Sequence, residues 1–174
     1  MQRNLAIVVA LAASGCAQHY AYRPAENATA SVAGVQAASY SIPADAPRGD
    51  VRIASFGIVQ VARNAPRALH VRMVIANESD RAWSMDARQQ VAVIGGTRMA
   101  PSWIAAEQRG PIITIAANGR STVNLFYQLP PGWERASRLP EFDLLWSVKA
   151  GDDVVTARTP FDRLRGEELA FIRR

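Results

Sequence analysis

An antiparallel all-β sandwich is predicted by three features of this chain. Apolar residues alternate with polar ones in about seven short segments past Asp50, clusters of Gly, Pro and Asn separate those segments, and no long amphipathic helix intervenes. With 174 residues, of which 49% are hydrophobic, the chain has room for one domain and enough apolar material to build its core.

The clearest strand is the stretch in which Leu69, Val71, Met73 and Ile75 alternate with Ala68, His70, Arg72 and Val74. Successive side chains of a strand point to opposite faces, so the first set belongs to a core and the second to the outer face. Residues 51–62 form another strand, 90–94 a third before Gly95-Gly96, and 112–116 a fourth before Asn118-Gly119. In 122–129, Val123, Leu125, Tyr127 and Leu129 share a face, and Pro130-Pro131-Gly132 stops the strand because Pro cannot donate to a ladder. Phe142, Leu144, Trp146 and Val148 face inward along 142–148, and Ala150-Gly151-Asp152-Asp153 turns the chain into 154–159, which makes a hairpin. A brief helix is expected within 161–172, weakened by Gly166. Together these elements predict an immunoglobulin-like β-sandwich. With one cysteine in the chain the domain has no disulfide, so its core must hold it, with Trp146 as a packing centre.

That single cysteine, Cys16, ends an apolar run in Leu11-Ala12-Ala13-Ser14-Gly15-Cys16, behind Arg3. The apolar residues 5–11 are too few to span a bilayer, which needs roughly 20, and they read as the apolar stretch of a secretory signal. The segment resembles the lipobox of bacterial lipoproteins, with Ala13 where that family most often has Leu. The resemblance implies cleavage between Gly15 and Cys16, acylation of Cys16, and a membrane held through an N-terminal lipid anchor. Ala17 after the cysteine, where Asp would favour inner-membrane retention, implies the outer membrane, facing the periplasm or the exterior. The alternative is an ordinary signal cleaved at small residues, which would leave a free thiol in an oxidising compartment. The expected organisation is a signal peptide over 1–15, the acylated cysteine and a flexible tether over 16–49, and the sandwich over 50–174. The tether assignment rests on a segment rich in Ala, Ser, Pro, Asn and Thr.

A second resemblance lies in Val71-Arg72-Met73-Val74-Ile75-Ala76-Asn77-Glu78-Ser79-Asp80, followed by Trp83 and Asp86, with Leu129-Pro130-Pro131-Gly132 and Thr159-Pro160-Phe161 further on. This pattern is similar to small immunoglobulin-like domains of exported bacterial lipoproteins and covers about residues 50–165. It implies a fold and no activity. Asn77 has its own physical role, since its side chain can close an Asx turn where the strand ends.

Charge is a net +5, carried by Arg and the single Lys149, and the basic residues are interspersed with acidic ones. That is a solvated surface, and the basic stripe of a nucleic-acid binder is absent. The catalytic inventory is thin. His19 and His70 are the two histidines, no His-x-His or Cys-x-x-Cys spacing exists, and no cofactor motif follows the Gly turns, so no catalytic, metal or cofactor residue is assigned. The adjacent pairs Asp152-Asp153 and Glu167-Glu168 make poor acid/base dyads, the first because it lies in a turn.

Trp83, Trp103 and Trp133 fall in or near expected loops, with Arg88 and Arg109 close in sequence. Aromatic faces and Arg dominate recognition surfaces, so these five residues are a candidate rim for a sugar or peptide, while the competing reading has each Trp fold back to cap the sandwich. The sequence thus leads to a non-enzymatic, outer-membrane lipoprotein whose domain is an envelope binding or assembly module for a protein or glycan partner. The alternatives are a passive structural lipoprotein and a hydrolase or carbohydrate-active enzyme.

Overall fold

Period-two alternation becomes two sheets that bury the predicted inward sets between them. The computed structural model describes residues 22–43, 48–133 and 140–164. In chain order its strands are β1 (Tyr22–Pro24), β2 (Ala30–Val32), β3 (Val35–Ser41), β4 (Gly49–Gln60), β5 (Arg67–Asn77), β6 (Trp83–Asp86), β7 (Val91–Ile94), β8 (Thr97–Met99), β9 (Trp103–Ala106), β10 (Ile112–Ile115), β11 (Arg120–Gln128), β12 (Phe142–Ala150) and β13 (Asp153–Arg163). One antiparallel sheet runs β1-β13-β12-β6-β10, with β7 also paired to β12 and β8 to β7, and the other runs β2-β3-β4-β5-β11-β9. Packed face to face, they form the expected antiparallel β-sandwich.

Leu69, Val71, Met73, Ile75, Val123, Leu125 and Tyr127 from the second sheet meet Phe142, Leu144, Trp146, Val148 and Phe161 from the first, all buried. Trp146 is the packing centre its position implies. Its ring meets Tyr40 edge-on at 5.1 Å, and its indole N–H donates to Thr159 Oγ1 at 3.0 Å, while Thr159 and Tyr40 are joined at 2.9 Å. The buried donor of the indole is therefore satisfied, as burial of a Trp requires.

Three expectations are corrected. The strands among the described residues number 13, not about seven, because β1, β2, β3, β6, β8 and β9 escaped notice. Most of these span three or four residues, too few to establish a period. The flexible tether of 16–49 gives way from Tyr22 onward to β1, β2 and β3. Ala37 and Ala38 are packing residues, fully buried, and Tyr22 and Ile42 join the core. Finally, 161–163 continue β13, with Phe161 opposite Pro24 on one side and Phe142 on the other. The remainder of the expected helix, together with Glu167-Glu168, lies outside the described residues, as do Gly15 and Cys16.

One end of the sandwich is tied by Asn77. Its Nδ2 donates to Arg81 O at 2.8 Å and to Ala116 O at 2.9 Å, and its Oδ1 accepts from Ser79 N at 3.0 Å and Ser79 Oγ at 2.7 Å. Ser79 Oγ in turn accepts from the Trp83 indole N–H at 3.1 Å. The Asx turn thus links the end of β5 to the end of β10 in the opposite sheet. Trp83 completes the junction by lying on Gly49, where φ is +154° and an added Cβ would stand 2.7 Å from the indole and inside the Ala76 carbonyl oxygen.

Elsewhere, side-chain amides replace missing strand. β12 pairs with β6 at Lys149 and Ala150 and with β7 from Phe142 to Leu145, which leaves Ser147 between them. The fully buried Gln90 fills that gap, accepting from Ser147 N at 2.9 Å and donating to Asp86 O at 2.7 Å. Tyr127 closes the same region by donating to Gln90 O at 2.9 Å. Gln108 does the equivalent on the β10 edge, where its amide pairs with both Thr114 N and Thr114 O.

Two substitutions test the tied end. Asn77→Ala removes donors and acceptors that nothing else replaces and is expected to lower unfolding free energy by about 2–4 kcal/mol in chemical denaturation. Gly49→Ala should cost roughly 2 kcal/mol or more by the same measurement, because both the backbone conformation and the Trp83 contact are lost.

Candidate functional site

The outer face of the six-stranded sheet carries a constellation of side chains outside the main core. Along β5, His70, Arg72 and Val74 point outward, as their alternation requires. The registers align them with neighbours on β4 and β11. Arg52, Val74 and Thr122 form one row, Ala54, Arg72 and Asn124 the next, and Gly57, His70 and Phe126 the third. A β-bulge between Ser55 and Gly57 inserts Phe56 as an extra residue, so Phe56 and Gly57 together oppose His70. Gly57 adopts φ +73°, and its N–H donates to Ser55 Oγ.

The result is a stacked row across four strands. Phe56 stacks on His70 at 5.0 Å, His70 on Phe126 at 4.5 Å, and Phe126 on Trp103 at 4.6 Å. Its far end is open, for Trp103 is 49% exposed whereas His70 and Phe126 are buried beneath their neighbours. Above Phe56 lies the Arg72 guanidinium, 4.6 Å from the ring centroid, a cation–π contact.

Asn124 organises the polar edge of this row. Its Oδ1 accepts from Arg72 Nε at 2.7 Å and lies 3.0 Å from His70 Nε2. Arg can only donate, so the atom facing it is the amide oxygen, and His70 Nε2 must carry a proton to bond the same oxygen. Burial lowers the His70 pKa below its ordinary 6.5; the Asn124 hydrogen bond opposes the shift and the Arg72 charge adds to it. His70 is therefore a neutral imidazole near neutral pH, held by stacking and by one amide. His70 thus faces the outer side that its alternation predicts, covered by two aromatic rings and hydrogen-bonded to Asn124.

The five residues of the expected rim do not come together. Trp83 is corrected from a loop to β6, where it is 3% exposed and belongs to the core at the Asn77 end. Trp133 packs near Gly95 and Pro140, at the opposite end of the sandwich, since Phe142 pairs with Ile94 while Ala150 pairs with Trp83. Trp103 lies on the outer face described above. Arg88 follows β6 in a short 3-10 turn and forms a 2.9 Å ion pair with Asp86, whose carboxyl it holds below the usual range. Arg109 stands exposed in the loop between β9 and β10. Capping describes Trp83 and Trp133, and Trp103 alone keeps the exposed ring that a recognition role requires.

Other chemistry-bearing residues are dispersed. Asp152 pairs with Arg81 at 2.8 Å on the surface, beside a cleft of about 440 Å³ at the Asn77 end whose charges are mixed. Among the described residues no group of three or more His, Cys, Asp and Glu converges on a metal position, and no helix is long and apolar enough to cross a membrane. Searches against protein-family models, curated proteins and solved structures find no match to this chain.

Sequence reasoning missed Phe56, Phe126 and Asn124. The signal was present in Phe126-Tyr127, since adjacent large aromatics in a strand place one on each face and imply that both faces are covered.

The depressed His70 pKa fixes a sign for pH dependence. Protonation is easier in the unfolded chain, so this contribution to stability is complete above the ordinary value of 6.5 and is lost as pH falls toward the folded value. The denaturation midpoint is expected to drop between about pH 8 and about pH 5, and His70→Phe, which keeps a stacked ring, should flatten that part of the profile.

Proposed function

We propose that this chain is an outer-membrane lipoprotein, acylated at Cys16, whose sandwich domain is a non-enzymatic binding or assembly module of the cell envelope. The anchor rests on the lipobox resemblance of 11–16. The binding role is carried by one observation, the stacked row Phe56, His70, Phe126 and Trp103 that ends in a half-exposed indole. An aromatic platform already held by its neighbours offers a partner apolar area with little ordering cost. A hydrolytic reading would place a carboxylate at the histidine, and the side chain bonded to His70 is instead the Asn124 amide, which also accepts from Arg72.

The position of β1 sets how such a module would stand. Six residues lead from Cys16 to Tyr22, the first residue of β1, a reach of roughly 20 Å at full extension. The domain would be held close to its membrane, with the end that carries Tyr22, Phe142 and Arg163 toward the lipid.

Two measurements test this reading. Intact mass of membrane-extracted protein should carry a lipid-sized increment that disappears, together with membrane retention, in Cys16→Ser; a soluble, unmodified wild-type chain would refute the anchor. A photo-crosslinking residue placed at Trp103 in cells should capture a discrete envelope partner, and one placed at the exposed Val154 on the opposite sheet should not.

A further inference from the structure

Beside the aromatic row, the same outer face contains a cleft of about 280 Å³ walled by Arg52, Arg72 and Arg120, floored by Val74 and Thr122, and bounded by Ser31 in the β2–β3 hairpin. We infer that this cleft is an anion site that takes a phosphate-type group, and that it supplies the charged half of the binding face whose apolar half ends at Trp103. The inference deepens the binding-module reading and does not depend on the lipid anchor.

The strand registers build the cleft. Arg52 and Thr122 flank Val74 from β4 and β11, Arg72 lies one row along on β5, and Arg120 lies one row back, opposite Ala76. Three arginines therefore line one cleft over the smaller side chains of Val74 and Thr122. Val32 and Ala37 of the β2–β3 hairpin pack on Ala54, which holds the hairpin against this face and gives the cleft its wall.

The charges are poorly matched within the protein. Arg52 pairs with Asp50 at 2.9 Å, the one carboxylate paired with any of the three among the described residues. Arg72 spends its Nε on the neutral Asn124 and lies flat on Phe56, and Arg120 has no side-chain hydrogen bond or ion pair among the described residues. Two uncompensated positive charges remain. In addition, Arg52 Nε is buried without a hydrogen-bond partner, since the Asp50 pair is made through Nη2 alone. Asp50 Oδ1 is also unpartnered, but Asp50 does not line the cleft.

A tetrahedral oxyanion suits this geometry better than a planar carboxylate. Its several acceptor oxygens can receive from guanidiniums on three strands at once, with the hydroxyls of Thr122 and Ser31 as further donors. A phosphate could be borne by a lipid headgroup or by a soluble or sugar-borne group, and the cleft recognises what these share.

The test titrates the full-length chain in non-ionic detergent with two probes followed by calorimetry, inorganic phosphate and a short-chain phosphatidylglycerol below its micelle concentration. Arg120→Gln should fold normally, because the side chain is exposed, and should weaken phosphate binding about tenfold. Arg98→Gln, on β8 of the other sheet, removes the same charge from an exposed site and should leave binding within about twofold of wild type. An Arg120-dependent preference for the lipid identifies a headgroup site, and Arg120-dependent binding of phosphate alone identifies a soluble or sugar-borne group. Equal weakening by both substitutions, or no heat with either probe, overturns the cleft as an anion site. A Trp103 crosslink that persists in that event leaves the binding-face reading standing.

Discussion

The two sheets keep their alignment through a junction that hydrophobic packing alone would not specify. Apolar contact between sheets is non-directional, and many offsets would bury a similar area. Asn77 removes that freedom by bonding from the end of β5 to carbonyls at Arg81 and Ala116, so that the last residues of β10 are held at a defined height against β5. Trp83 then has one place to lie, against the bare backbone of Gly49, and Ser79 receives its N–H. Polar satisfaction and close packing are coupled here, because the indole N–H finds its acceptor, Ser79 Oγ, only where Ser79 is already held by Asn77.

From that alignment follows the division of labour between the two faces of β5. Its inner residues are core, and its outer residues carry a stack of aromatic rings and an arginine cluster. The bulge at Ser55 to Gly57 is the local irregularity that makes this possible, since it delivers Phe56 to the same side as Gly57 and fills the space beside His70. The hairpin of β2 and β3 covers one end of this face, and Trp103 on the short edge strand β9 covers the other. Between them, polar and apolar groups sit side by side on a rigid support, a combination suited to recognition.

The inward sets of β5, β11 and β12 were legible because each alternates over four apolar positions, long enough for a period of two to stand out. The Asx turn at Asn77 was legible for a similar reason, since its partner Ser79 is two residues away. Strands of three or four residues contain too little repetition to be read, and the segment around Ala37 and Ala38 looked like linker because small side chains signal equally a flexible chain and a tight interface. The arginine cluster was illegible for a different cause. Arg52, Arg72 and Arg120 are distant in sequence and meet only through strand register, which no local pattern encodes. Likewise Trp83 is indistinguishable from an exposed loop residue until Gly49, from another strand, is seen beneath it.

The pairing of β1 with β13 joins nearly the first described residues to nearly the last, Tyr22 to Arg163. Such a closure gives the topology a high contact order, which slows folding. It also imposes an order in time on a chain made from its N-terminus. β1 has no partner until some 140 residues later its complement has been synthesised, and Tyr22 has no Phe142 to pack on until β12 exists. The seven-stranded sheet is therefore complete only once β13 is present, and a truncated product lacking it would leave one side of β12 unpaired and β1 without its ladder.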